Sequence, residues 1–216
     1  NECSEAVAVM VEFMARIRDE YGLVIEELDL GGGLGIAYTV DEKPSSIEDF
    51  AECTVNAVKD YCEQFDVPLP RILVEPGRSL VANAGITLYT VGILKTLPNI
   101  RKYVAVDGGM SDNIRTALYH AEYEPTIANK AGQPRTEIVT LCGKHCESGD
   151  AVVIDMPLQH PDLGDIVAVF GTGAYCHSMS SNYNGQPRPA IVFVKDGQAR
   201  VTTRRETYAD LMARDI

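Results

Sequence analysis

A thiol stands next to a carboxylate in the run Cys146-Glu147-Ser148-Gly149-Asp150. Such a pair can move a proton or recognise a substrate amine; a buried cysteine followed by a surface glutamate would read the same way. Glu75-Pro76-Gly77-Arg78 offers a second set. Its glutamate could pair with a protonated ring nitrogen and its arginine could clamp a carboxylate through two parallel hydrogen bonds, or the two could simply cap a sheet as an ion pair. Arg115 and Tyr119 close the stretch that begins Asp107-Gly108-Gly109-Met110-Ser111-Asp112. Four residues apart, they share a helix face, which could bind a ligand or only meet solvent. Gly31-Gly32-Gly33-Leu34-Gly35 could bring backbone N–H groups onto an anion, or only turn the chain. It is not a Walker loop, because no Gly-Lys-Ser/Thr follows, and Ala37 denies it the third glycine of a dinucleotide fingerprint. Tyr175, in Gly171-Thr172-Gly173-Ala174-Tyr175, could carry a phenol to a ligand phosphate or cap a loop. His145 and His177 are expected to be structural or peripheral. Together these groups suit a phosphorylated cofactor and a substrate bearing carboxylates.

The chain has 216 residues and a net charge of −12. That charge disfavours nucleic acid and anionic membrane as partners, since both need clustered Lys and Arg. A local arginine pair can still dominate one pocket. No apolar run approaches the ~20 residues of a membrane-crossing helix. Six cysteines, Cys3, Cys53, Cys62, Cys142, Cys146 and Cys176, are irregularly spaced. Cys142 and Cys146 flank His145, but the C-x3-C spacing has no second ligand pair, so no metal is expected. Reduced thiols and a cytoplasmic setting are the expectation. There is no initiator Met and a helical pattern begins within a few residues, so the chain reads as a fragment starting inside a fold.

The elements that must position these groups alternate at first. Residues 5–20 predict an amphipathic helix with Ala6, Met10, Phe13 and Ile17 inward and Gly22 as its C-cap. Leu23–Leu30 predicts a strand ending at the glycine run. Ser45 and Glu48 predict a capping box, followed by a helix with Ile47, Phe50, Val58 and Phe65 inward, stopped by Pro68 and Pro70. Arg71–Glu75 predicts a strand. This is the βα alternation of a parallel sheet or (β/α)8 barrel, in which ligands bind at the carboxyl ends of strands. Beyond residue 84 the texture becomes all-β or α+β. Strands are predicted at Ile86–Leu94, Tyr103–Val106, Glu137–Cys142, Ala151–Asp155, Ile166–Val169, Pro189–Val194 and Ala199–Thr203, with Asp196-Gly197 as a hairpin turn. Short helices are predicted at Asp112–Tyr119 and Glu206–Ala213.

In their order and separations, the motifs closely resemble diaminopimelate decarboxylases, pyridoxal-phosphate enzymes of the alanine racemase-like, fold-type III group. Asp107–Tyr119, Lys144–Asp150 and Gly171–Asn184 carry the resemblance, which runs over nearly the whole chain and looks most like the actinobacterial branch. It implies the last βα units of a cofactor-binding (β/α)8 barrel at residues 1–84, a β-domain at 85–203 and a C-terminal helix at 204–216. It implies pyridoxal 5'-phosphate as cofactor, with Gly33 on the phosphate, Gly77 and Arg78 nearby through their backbone, and Glu75 on the pyridine nitrogen, keeping the ring an electron sink. Arg78 and Arg115 would hold substrate carboxylate, assisted by Tyr119. Glu147 would bind the distal amine, Tyr175 would touch cofactor and substrate, and Cys146 would donate the proton after carbon dioxide leaves. In the family Cys146 and Glu147 serve the opposite subunit's site, which implies a homodimer. The implied reaction converts meso-diaminopimelate to L-lysine. The family's Schiff-base lysine and ring-stacking histidine belong to its amino-terminal half; none of Lys43, Lys59, Lys95, Lys102, Lys130, Lys144 or Lys195 occupies that motif. This chain alone is therefore expected to decarboxylate nothing.

Two other readings compete. A decarboxylase of ornithine, arginine or a carboxy-polyamine would act on substrates lacking the distal carboxylate, against which Arg78, Arg115 and the Cys-Glu-Ser-Gly run argue. A non-catalytic regulatory homologue rests only on the missing lysine.

Overall fold

The computed structural model describes residues 4–216 in full and the backbone of residues 2 and 3, so the thiol of Cys3 lies outside the described residues. Two compact units emerge. One holds the residues up to Ala37 together with Lys43–Leu80; the other holds Tyr38–Glu42 and Val81–Ile216.

The first unit runs α1 (Glu2–Tyr21), β1 (Glu27–Asp29), α2 (Ile47–Gln64) and β2 (Arg71–Leu73). The strands pair in parallel, Glu27 opposite Arg71 and Asp29 opposite Leu73, with α2 as the crossover. This is the expected βα alternation, although each strand is shorter than its apolar run. Gly22 ends α1 at φ +66°, donating to Arg18 O at 2.9 Å. The buried face of α1 is not the one expected. Val7, Val11, Met14 and Ala15 are buried, whereas Ala6 is exposed and Phe13 is 56% exposed. The helix carries two apolar stripes one residue, or about 100°, apart. The core with Leu28, Val58 and Cys62 selects one of them. A similar one-residue shift holds at α2. The cap is Ser46, which accepts from Asp49 N at 3.0 Å while Asp49 returns a bond to Ser46 N, so Ser45 and Glu48 are not the box. That register buries Thr54, Ala57, Val58 and Cys62 and leaves Ile47 at the surface.

The first unit ends within α3 (Gly77–Val81), and the second holds a six-stranded mixed sheet. Its strands are β3 (Ile86–Leu97), β4 (Arg101–Val106), β5 (Pro125–Ile127), β6 (Glu137–Cys142), β7 (Ala151–Leu158) and β8 (Ile166–Phe170), with α4 (Arg115–Tyr119) between β4 and β5. The spatial order is β5-β8-β3-β4-β6-β7. The long β3 joins the halves: Ile86–Thr90 pair with β8, Val91–Leu97 with β4. All pairs are antiparallel except β4 with β6. The edge strands β5 and β7 approach each other, so the sheet curls almost into a closed barrel. A buried amide stitches that seam: Gln159 accepts from Ile127 N at 2.9 Å and donates to Thr126 Oγ1 at 3.0 Å. Alternate residues of β3, β4, β6 and β8, among them Val91, Val104, Leu141 and Val167, fill the interior together with Val152, Val153 and Leu158 of β7 and Ile127 of β5. A separate hairpin, β9 (Ile191–Lys195) and β10 (Gln198–Thr203), turns at Asp196 and Gly197 with φ of +51° and +73°. A short helix, α5 (Tyr208–Leu211), follows a Thr207–Asp210 capping box. The expected helices at 112–119 and 206–213 are thus real but trimmed, while β5 and α3 are too short to leave a periodic signal.

One ion-paired node locks β5 to β8. Lys130 Nζ donates to Asp165 at 2.6 Å and to Asp162 at 2.7 Å, and Asn129 donates to Asp165 at 2.7 Å. Burial works against the Asp165 charge, but Lys130 and Asn129 outweigh it and hold the carboxyl below its ordinary 3.8. Its stabilisation is therefore complete above that ordinary value and drains away as pH falls through the native one. In the intact protein, Lys130→Met is expected to cost about 2–3 kcal/mol near neutrality, because it leaves a buried carboxylate unpaired. The cost should shrink as pH falls through the native Asp165 value, so urea unfolding followed from about pH 7 into strong acid should give curves that converge only below the ordinary carboxylate range. A penalty equal at both ends would remove the ion pair as its cause.

Candidate active site

Of the residues singled out for chemistry, Gly33, Glu75, Gly77 and Arg78 belong to the first unit. Arg115, Tyr119, Cys146, Glu147 and Tyr175 belong to the second.

In the first unit the loops after β1 and β2 are clamped side by side at the carboxyl ends of the two parallel strands. Leu30 N donates to Leu73 O at 3.0 Å and Glu75 N to Gly31 O at 2.7 Å. Gly32 sits so close that a Cβ there would lie 2.9 Å from the Glu75 carbonyl oxygen. Gly31 and Gly33, on either side, have φ of +69° and +120°. Gly31 N donates to Asp29 Oδ1 at 2.9 Å, so the N–H groups of Gly32 and Gly33 are the ones this turn could offer to an anion. Gly77 N turns back to Glu75 O at 2.7 Å, and Ser79 Oγ donates to Pro76 O at 2.8 Å, so the segment bearing Glu75 and Arg78 is held tightly.

In the second unit the solvated-face reading of Arg115 fails. The residue is only 7% exposed. Its guanidinium carbon lies 5.5 Å from the ring centroids of both Tyr119 and Tyr175 and 6.0 Å from that of Tyr38. Its Nε donates to the hydroxyl of Tyr123 at 2.9 Å. Among the described residues no carboxylate pairs with it. Burial opposes the charge, yet Tyr123 and Tyr38 more than compensate, and the guanidinium's proton affinity is raised. An ionised, ring-lined guanidinium with no counter-charge has the chemistry to receive a carboxylate. Tyr175 is placed for this by a left-handed backbone, φ +63°. The structure thus brings Arg115, Tyr119 and Tyr175 together. It adds Tyr38 and Tyr123, which sequence reasoning missed. Tyr123 is spaced four and eight residues after Tyr119 and Arg115, but α4 stops at Tyr119 and His120 turns left-handed, so the helical spacing would have misplaced it.

Cys146 and Glu147 sit on the loop between β6 and β7, both exposed. Among the described residues neither contacts Arg115. Their loop is nonetheless firmly held. Asp150, 5% exposed, accepts from Met110 N at 2.6 Å and from His145 N at 2.8 Å. The buried His145 ring reaches Ser111 Oγ at 2.9 Å and lies 5.6 Å from the Tyr183 ring. The Tyr183 hydroxyl donates to Glu147, a bond that raises its own proton affinity. His145 is thus structural, as expected, and it supports the loop that bears Cys146 and Glu147. A Cβ on Gly143 would lie 2.3 Å from the Asp150 carboxylate, so only glycine admits this packing. Asp150→Ala in the intact protein is expected to strand the buried His145 N–H and the half-buried Met110 N–H, costing about 2–3 kcal/mol and freeing the loop. Denaturant unfolding measures the cost; a change below about 1 kcal/mol would deny Asp150 this role.

Comparisons with known proteins bear on these arrangements. The family described as "Pyridoxal-dependent decarboxylase, C-terminal sheet domain" matches residues 37–173. The diaminopimelate decarboxylase of Bacillus subtilis (strain 168) is 50% identical over 199 residues, covering 92% of this chain and 45% of that protein. The diaminopimelate decarboxylase of Corynebacterium efficiens is 41% identical, covering 99% of this chain and 48% of its own length. The higher Bacillus value shows that the likeness is not confined to actinobacteria. Among solved structures, a diaminopimelate decarboxylase from M. jannaschii in co-complex with L-lysine superposes with a TM-score of 0.88 at 37% identity, covering 99% of this chain and 48% of that one. The chain spans about half the length of the relatives it matches. Its mixed sheet, its βα units and its cofactor class are those of fold-type III enzymes, and the chain belongs to the pyridoxal-dependent decarboxylases, carrying their C-terminal sheet domain.

Proposed function

We propose that the intact protein decarboxylates meso-2,6-diaminopimelate to L-lysine and carbon dioxide. The observation that carries this reading is Arg115, a buried cation with aromatic walls and no carboxylate partner among the described residues. A substrate with a second carboxylate supplies what it lacks. The identity to diaminopimelate decarboxylases, 50% in the B. subtilis case, supports the same substrate.

Pyridoxal phosphate, when bound, supplies the electron sink that lets a carbon–carboxylate bond break. The Gly31–Gly33 contour fits its phosphate, because Gly31 and Gly33 have positive φ and open space where a side chain would stand, and Gly32 admits no Cβ beside the Glu75 carbonyl, so a ligand can approach bare backbone. Gly33, with the backbone of Gly77 and Arg78, would hold the phosphate, and the Glu75 carboxylate would accept from the ring N–H. Arg78 and Arg115 would hold substrate carboxylate, with Tyr119 as a wall and Tyr175 touching cofactor and substrate. Glu147 would pair with the distal ammonium and help select the correct end of the substrate. Cys146 would deliver its Sγ proton to the carbon that has lost carbon dioxide. In this reading Cys146 and Glu147 act in the opposite subunit of a homodimer, residues 1–84 complete a barrel, 85–203 form the β-domain and 204–216 the closing helix. The setting is cytoplasmic; no described helix is long and apolar enough to cross a membrane.

Carbon dioxide release by the full-length gene product with pyridoxal phosphate tests the reading, with meso-diaminopimelate beside L-ornithine and L-arginine. Release from diaminopimelate alone, with lysine formed, is expected. Release from ornithine or arginine instead would remove Arg78 and Arg115 from their roles, and cofactor binding without any turnover would favour a regulatory homologue.

A further inference from the structure

We infer that Tyr123 is the positioning residue of the carboxylate receptor: it holds Arg115 by Nε, so that only the two-pronged Nη end is offered to a substrate carboxylate. The inference deepens the proposed function and rests on its assignment of Arg115. Tyr123 is fully buried in the sheet core. Its hydroxyl accepts from Arg115 Nε at 2.9 Å and lies 3.7 Å from Cys176 Sγ. Its ring meets Tyr38 edge-on, with centroids 5.2 Å apart and planes at 78°. Burial, first, and the neighbouring thiol raise its proton affinity far above that of an ordinary phenol, so the hydroxyl stays neutral and keeps a lone pair for the guanidinium. An arginine can meet a carboxylate side-on, through Nε and one Nη, or end-on, through both Nη groups. With Nε engaged below, the end-on fork remains. The Tyr38, Tyr119 and Tyr175 rings then limit its swing. No ring holds the guanidinium in rotation about its own chain as a hydrogen bond at Nε does.

The test is a double-mutant cycle in the intact enzyme with Tyr123→Phe, Arg115→Ala and both, because Phe keeps the ring and its packing. Two quantities are read: KM and kcat for meso-diaminopimelate, and the Kd of glutarate, a dicarboxylate with no amine to react. Y123F is expected to raise KM and the glutarate Kd about tenfold, with kcat within about twofold. In the Arg115→Ala background it should change neither, since its whole effect passes through the guanidinium. Unchanged KM and Kd in Y123F, with or without a lowered Tm, would overturn the inference, and so would a tenfold effect that persists without Arg115. If Y123F does not accumulate as folded protein, Cys176→Ala carries the test. It removes the hydroxyl's other neighbour, and a rise of about two- to threefold in the glutarate Kd is expected, absent from the R115A background; no rise overturns it. Failure of the wild-type enzyme to release carbon dioxide from diaminopimelate would defeat the proposed function instead, and the glutarate cycle would still judge Tyr123.

Discussion

Arg115→Ala is expected to lower kcat/KM for meso-diaminopimelate by roughly 10³-fold, and Arg115→Lys by roughly 10- to 100-fold. The difference follows from geometry. Lysine keeps the charge but offers a point donor where the carboxylate finds a planar fork, and it cannot reach Tyr123 with an Nε–H. The size follows from burial: at 7% exposure the guanidinium meets a carboxylate with little water to screen it. Stability should respond far less than activity. Arg115 has no counter-charge among the described residues, yet Tyr123 and Tyr38 outweigh the cost of burying its charge. Arg115→Met should therefore lower Tm only modestly, for the buried Tyr123 hydroxyl that loses its donor, while activity collapses. A fall in kcat/KM of less than about tenfold for Arg115→Ala would remove the arginine from the substrate site. A matched loss of Tm would make it a structural residue.

Cys146→Ala is expected to lower kcat by about 10²- to 10³-fold with KM within a few-fold, the pattern of a lost proton donor rather than a lost binding contact. Cys146→Ser should recover little, because a hydroxyl gives up its proton far less readily than a thiol. The thiol's placement makes the expectation specific. Its neighbour His145 is pinned by Asp150 and Ser111, and Glu147 on its other side accepts from Tyr183, so the substitution should not disturb the loop. The proposed homodimer with shared sites makes a further demand. Mixing inactive Cys146→Ala and Arg115→Ala subunits should restore about one quarter of wild-type activity, because half the dimers are mixed and each of these holds one intact site. Complete silence of the mixture would place both residues in the same subunit's site or deny the dimer. A kcat within about twofold of wild type for Cys146→Ala would assign the proton to another group.

Much of the fold and of the site was legible along the chain, for local reasons. Runs rich in β-branched residues, bounded by turn signals, marked β3, β6 and β8, and Asp196-Gly197 marked a hairpin whose turn adopts the left-handed backbone those residues tolerate. A glycine run after β1 and the Glu75-Pro76-Gly77-Arg78 turn after β2 marked the loops at the carboxyl ends of these two strands. What stayed hidden was what one turn of rotation or a long sequence separation decides. Phe13 and Val7 lie on neighbouring stripes of α1, and only the α2 surface chose between them. Ser45 and Ser46 are both good caps, and the register of α2 on its core chose Ser46.

The residue types for the chemistry, a cysteine beside a glutamate and an arginine four before a tyrosine, were set by sequence alone, because neighbours on a chain remain neighbours in any fold. So were the parallel βα alternation at the start and the strand-rich texture after it, since both follow from side-chain periodicity. Tertiary structure alone decided that Arg115 is buried and ringed by tyrosines. Tyr38 arrives from a segment 77 residues upstream and Tyr175 from a loop 60 residues downstream. It alone decided that Asp150 anchors the Cys146 loop on the backbone of Met110, 40 residues away. Curling a mixed sheet nearly into a barrel brings distant strands face to face, and no local pattern encodes which side chains will then meet.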